Sequence, residues 1–208
     1  MAPTADQSNR APFPTPRLSL CLDFANTCYG RGSTPTESLH GFSDLLLWCA
    51  EKVPLAKSVA DELGSWSDGN AESGAQVFNR AIEIRESIYR IFGGFASERE
   101  TPLADIENLN RAIAAAPLRS LIQRAEDGFA WSVPKEGGSH ESLLAPVLWS
   151  AGDLLTGKYL HRVRLCANHK CLWLFLDDSL SGRRRWCSMS ACGNRAKTQR
   201  HYLRRKAG

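Results

Sequence analysis

Cys166-Ala-Asn-His-Lys-Cys171 and, after a fifteen-residue insert, Cys187-Ser-Met-Ser-Ala-Cys192-Gly193-Asn194-Arg195 decide how this chain is read. The four cysteines form two C-x4-C pairs. Each close pair of thiolates can grip one edge of a tetrahedral zinc ion. Unpaired or disulfide-linked cysteines are the other reading, and short paired spacing in a chain that reads as intracellular speaks against it. His169 lies between Cys166 and Cys171, but four cysteines already close the tetrahedron, which leaves His169 facing solvent or beside the ligands. A site closed in this way has no open position for water, so catalytic zinc is not expected. The expectation is one structural Zn2+ held by Cys166, Cys171, Cys187 and Cys192. A unit this small cannot bury enough apolar surface alone, and the metal has to supply much of its folding free energy.

The residues around these cysteines complete the module. Arg162–Cys166 reads as a short strand entering the first pair. Leu172–Leu176 is its dense apolar patch, and Asp177–Gly182 with Arg183–Trp186 reads as a turn and a return strand over the metal. From Ser188 a helix is expected, with Cys192 in its first turns. That helix carries Arg195, Lys197, Arg200, Arg204 and Arg205, with Lys197, Arg200 and Arg204 on one face. With Arg183, Arg184 and Arg185 on the turn, this is a stripe able to neutralise phosphates along a groove. The plainer reading is a solvated basic helix in which Asn194 and Arg195 serve the thiolate cluster. Charge is split unevenly along the chain: residues 161–208 carry a net +10 and residues 1–160 a net −6. A mildly acidic body with a strongly basic tail suggests a polyanionic partner for the tail.

Trp186 to Lys197 resembles the CGNR zinc finger, named for Cys192-Gly193-Asn194-Arg195. Upstream, Leu20-Cys-Leu-Asp-Phe-Ala-Asn-Thr27 is similar to the opening of the ABATE domain. That domain precedes this finger in a family of bacterial stress-induced transcription regulators. The resemblance spans about Pro16 to Arg205, and it implies a DNA-binding regulator.

The body reads as mainly helical. The clearest helix is Gln76–Glu98, where Val77, Ala81, Ile84, Ile88, Ile91 and Phe95 recur at steps of four and three. Ser43-Asp44 can cap a helix through Leu45, Leu46, Trp48 and Cys49, and another runs beyond Pro54 towards Leu63. Gly64–Gly74, rich in Gly, Ser, Asp and Asn, reads as a loop. Thr101-Pro102 starts a helix with Leu103, Ile106, Leu109 and Ile113 inward. Leu118–Arg124 and Phe129–Val133 flank Asp127-Gly128, which argues a β-hairpin. Glu141–Lys158 is helical again and leaves almost no linker before the finger, so the finger is expected to dock on the body. The expected organisation is a flexible or extended arm at 1–16, a helical body at 17–160 and a treble-clef-like finger at 161–208. The fold class is mainly α with a small hairpin, α+β overall.

Asp23, Asn26 and Thr27 place three polar groups beside Leu22 and Phe24, and buried polar groups need partners. Arg85 and Arg31 are candidates to pair with Asp23. These five residues read either as a small-molecule effector pocket or as an internal hydrogen-bond network. No nucleophile, base and oxyanion set is evident, and Ser139-His140-Glu141 is only a loop, so no enzyme is expected. Cys21, Cys28 and Cys49 sit among apolar neighbours and read as buried free thiols of a reducing compartment. The longest apolar run, Leu45–Ala50, is too short for a bilayer, so a cytoplasmic protein is expected. The alternative to DNA binding is a zinc-stabilised module for protein or RNA partners. The sequence leaves a homo-oligomer open.

Overall fold

The computed structural model describes residues 10–13, 16–53, 57–119, 121–125, 128–134 and 143–207. In chain order its elements are β1 (Arg10–Phe13), α1 (Leu20–Ala25), β2 (Cys28–Tyr29), β3 (Thr36–Glu37), α2 (Phe42–Lys52), α3 (Lys57–Gly69) and α4 (Ala71–Ala96). Then come α5 (Leu103–Ala115), β4 (Leu121–Ala125), β5 (Gly128–Pro134), α6 (Ala145–Thr156), β6 (Val163–Leu165), β7 (Leu174–Leu176) and α7 (Asn194–Ala207). The chain is thus mainly helical, with small antiparallel strand groups.

The short helix α1 sits in the middle. Leu20, Cys21, Leu22, Phe24 and Ala25 are all buried, because α4, α6 and β7 pack around it. Burial of all its residues but Asp23 leaves no alternating pattern of polar and apolar residues by which to identify so short a helix. Its first turn is tied to α6 by Ser150, whose hydroxyl accepts from the Cys21 N–H and donates to the Leu18 carbonyl, each at 3.0 Å. The long helix α4 buries Ile84, Ile88, Ile91 and Phe92, as its spacing requires. On α5, Leu109 is buried, but Leu103 is 71% exposed and does not join the inner face.

The stretch expected as a loop at Gly64–Gly74 is instead helical, broken only at Asn70. Its polar side chains fold back on their own backbone. Ser65 donates to the Asp61 carbonyl, Ser67 to Gly64 and Asn70 to Trp66. Polar groups satisfied locally do not prevent a helix when Leu63 is buried and Trp66 packs on Phe42. The helix α2 starts at Phe42 with Gly41 as its N-cap, ahead of the expected Ser43-Asp44 cap. The Asp44 carboxylate accepts from the His40 N–H at 2.8 Å instead.

The expected hairpin is β4–β5, with Gln123 opposite Ala130. Residues 126–127 of its turn lie outside the described residues, as do Ser139-His140-Glu141. Within the stretch expected as an arm, Arg10–Phe13 forms β1 and pairs along the other edge of β5; residues 1–9 and 14–15 lie outside the described residues. Among the described residues no helix is long and apolar enough to cross a membrane.

In the C-terminal module β7 pairs with β6, Val163 opposite Leu176. The expected return strand at Arg183–Trp186 is not formed. The reason is Asp177, which is fully buried. Its carboxylate accepts from the Ser179 N–H and hydroxyl and from the Arg184 N–H, curling residues 177–184 into a compact loop. Val163 and Leu174 join the apolar core of the body, so the module is docked on the body.

A four-cysteine metal centre and its basic surroundings

The β6 strand delivers Cys166, the turn after it delivers Cys171, and the approach to α7 delivers Cys187 and Cys192. Their four sulfurs all lie within 4.8 Å of one another. Cys187 Sγ is 3.8 Å from both Cys171 Sγ and Cys192 Sγ. A tetrahedron with Zn–S bonds of about 2.3 Å has S···S edges of about 3.8 Å, so the donor set fits one zinc ion. Four thiolates leave no coordination position for water, which makes the centre structural.

Neighbouring groups hold the ligands in place. Asn168 donates its side-chain N–H to Cys192 Sγ at 3.4 Å. Ser188 is an N-cap, its hydroxyl accepting from the Ala191 N–H. The chain then makes one π-turn, Met189–Gly193, before α7 begins, which swings Cys192 towards the other sulfurs. Burial opposes ionisation of Asp177, yet the hydrogen bonds from Ser179 and the Arg184 amide hold its carboxyl below the usual range. Arg162 donates to the Asp177 and Ser179 carbonyls and closes the same loop. His169 is exposed, away from any ligand role. Cys21, Cys28 and Cys49 are free and buried, and burial pushes the Cys21 and Cys49 thiols up to about 12.

One polar residue of the N-terminal motif, Asn26, forms a joint with this module. The buried Asn26 side chain accepts from the Leu174 N–H at 3.0 Å and donates to the Leu174 carbonyl at 2.8 Å. It thus pairs with β7 as a further strand residue would. The Tyr89 hydroxyl donates to the Leu172 carbonyl at 2.9 Å. Gly32 meets the knuckle so closely that a Cβ built there would fall 1.6 Å from the His169 carbonyl oxygen. Only glycine permits that approach.

Asp23 pairs with neither Arg85 nor Arg31. Its partner is Arg17, at 2.8 Å on the partly exposed flank of α1. Arg85, 3% exposed, makes two bonds to Glu37 and one to Glu86, and donates to the Thr27 hydroxyl. Arg31 grips Glu86 with both terminal nitrogens and stacks 4.0 Å from the Tyr89 ring centroid. Burial works against the charge on Glu37 and Glu86, but the arginines hold both carboxyls below the usual range. Among the described residues every buried side-chain nitrogen or oxygen has a partner. Thr27, Arg31 and Arg85 therefore belong to one internal network with Glu37 and Glu86; Asn26 bonds Leu174 separately, and Asp23 stands outside both. No sequence signal pointed to Glu37, Glu86 or Tyr89.

The candidate phosphate-binding cations separate into two groups. Arg184 is committed to the fold. It donates to the Trp186 and Cys187 carbonyls, pairs with Asp178 and stacks over Phe175. Arg183, Arg185, Arg195, Lys197 and Arg205 are exposed, and Arg185 lies 5.4 Å from the Trp186 ring centroid. Arg195, one residue into α7, lines a cleft with Cys171, Cys187 and Cys192. Arg200 and Arg204 lie on α7, and their side chains are outside the described residues.

Two family models match the chain. ABATE, described as a putative stress-induced transcription regulator, matches residues 18–158. The CGNR zinc finger matches residues 162–205. No curated protein matches at a significant level.

Proposed function

Because the chain belongs to the ABATE family and carries a CGNR zinc finger, we propose that it is a zinc-dependent DNA-binding transcription regulator. In this reading the finger, 161–208, binds DNA and the body, 17–160, senses a small-molecule effector. The supporting observation is that Arg183, Arg185, Arg195, Lys197 and Arg205, all in the segment that carries the four-cysteine site, are exposed. These cations, with Arg200 and Arg204 on α7, reach beyond what four thiolates need for charge balance. Arg184 is removed from the contact set because its hydrogen bonds are spent on the fold. Neither matched family is described as an enzyme, and a metal closed by four thiolates offers no catalytic position.

Phosphate contacts release counterions, so log affinity should fall linearly with log salt. About five contacts give a slope of roughly −4 to −5 on duplex DNA. Lys197→Ala should reduce that slope by about one and weaken all sequences alike, while loss of a base-reading arginine should also flatten the preference between sites. Arg200→Ala is the first variant to compare. The measurement is a salt titration of zinc-loaded protein on a site selected from genomic fragments and on a scrambled duplex. Absence of binding at low salt would reject DNA as the partner and move an acidic protein or RNA into its place.

A further inference from the structure

A cavity of about 510 Å³ opens between α2, α3, α4, α5 and α6, remote from the metal centre. This is an ordinary size for a small-molecule site. Its floor is apolar: Leu45, Ala81, Ile84 and Leu148 are each 5% exposed or less. Its mouth is cationic. Arg80 and Arg111 line it from α4 and α5. Arg80 is held in place by Asn108 at 2.6 Å and Glu83 at 3.0 Å. Arg111 is exposed and has no ion pair among the described residues.

An apolar floor rejects a charged head group, and two guanidinium groups at the mouth attract an anion and accept a carboxylate in bidentate fashion. We infer that this cavity binds an amphiphilic carboxylate, its apolar body on the floor and its carboxylate between Arg80 and Arg111. The inference rests on the reading of the body as a sensor and names the site and class of its effector. It also replaces the N-terminal motif as the pocket, since that motif is occupied with its own network. The cavity reaches the finger through one element. Val77, Arg80, Ala81 and Ile84 of α4 line it, and the next turns of the same helix carry Tyr89, which bonds the Leu172 carbonyl of the finger, and Arg85 and Glu86 of the charged network behind it.

The test is calorimetry on zinc-loaded full-length protein without DNA, using decanoate, decanol and decyltrimethylammonium below their micellar concentrations. Decanoate should bind saturably at one site. Decanol should bind about tenfold more weakly, having lost the charge-assisted hydrogen bonds, and the ammonium compound should not bind. Arg80→Gln with Arg111→Gln should weaken decanoate about tenfold and leave decanol unchanged. These are solvent-side changes, and zinc content with circular dichroism verifies the fold. Val77→Trp, which fills the cavity, should remove binding of both. No saturable decanoate binding, equal affinity for decanoate and decanol, or indifference to the arginine pair would overturn the inference. DNA affinity of the ligand-free protein is measured in parallel. Intact DNA binding with no decanoate binding fails this site alone, and the reverse fails the DNA reading alone.

Discussion

The body and the finger hold themselves together by different means. The body has an extended apolar cluster, with Leu20, Phe24, Leu45, Ile88, Phe92, Leu109, Val147 and Leu154 at 2% exposure or less. Among the described residues, the finger's own cluster has only Cys166, Phe175 and Cys192 as buried members. Apolar burial at about 25 cal/mol per Å² can stabilise the first. It cannot stabilise the second, where metal coordination has to replace it. The same contrast runs through the cysteines. Cys21 and Cys49 are hydrophobic filling with thiols pushed up to about 12, whereas the four finger cysteines sit as a converging donor set.

Removing the metal tests this contrast most severely. Structural zinc binding is worth about 10–16 kcal/mol in apparent terms. Cys187→Ser, or chelation, should unfold residues 166–207 while α1 to α6 stay cooperative. Zinc content and hydrogen exchange resolved along the chain check this. Full zinc occupancy in the variant would refute the four-cysteine assignment. A smaller effect is expected where the two regions meet. Asn26→Ala strands the Leu174 N–H and carbonyl, and two orphaned buried groups cost about 2–4 kcal/mol. Chemical denaturation should then show the finger separating before the body. A single unchanged transition would mean that Asn26 is not the coupling residue.

Smaller again is the charged network behind the joint. The carboxyls of Glu37 and Glu86 are lowered in the folded state from an ordinary value of 4.5. Their contribution is therefore complete above pH 4.5 and is lost as pH falls through the lowered values. Glu37→Gln with Glu86→Gln should cost about 2 kcal/mol near neutrality, below the cost of breaking a fully buried pair because both glutamates remain partly exposed. The gap from the parent protein should close in acid, read from denaturation curves between pH 6 and about 3. A constant gap would place the effect in packing. Least of all should come from Asp23→Ala, under about 1 kcal/mol, since its partner Arg17 is 64% exposed. A larger loss would return Asp23 to the buried network.

Much of the architecture was legible because it is written locally. The C-x4-C pairs gave the metal centre, the steps of four and three gave α4, and Asp127-Gly128 marked the hairpin. What escaped depends on partners far away in the chain. Asn26 acquires its role from Leu174, 148 residues further on, and Arg85 from Glu37, 48 residues back. Gly64–Gly74 misled because composition records polarity but not the back-bonding by Ser65, Ser67 and Asn70 that satisfies it. Arg184 resembles its neighbours in charge, and only the carbonyls of Trp186 and Cys187 separate it from them. The cavity is assembled from five helices, so no single segment announces it.

The hydrogen bonds described across the joint share one property: each ends on the finger's main chain. Asn26 reads the Leu174 N–H and carbonyl, Tyr89 the Leu172 carbonyl and Ser33 the Lys170 carbonyl, while Gly32 rests against the carbonyl of His169. Among the described residues, the body's hydrogen bonds thus grip the finger by its main chain and not by its polar side chains. Mutational drift on the outward faces of the knuckle and α7 needs no matching change in the socket. One body can accept fingers whose outward faces differ, and such chimaeras should assemble as the parent does.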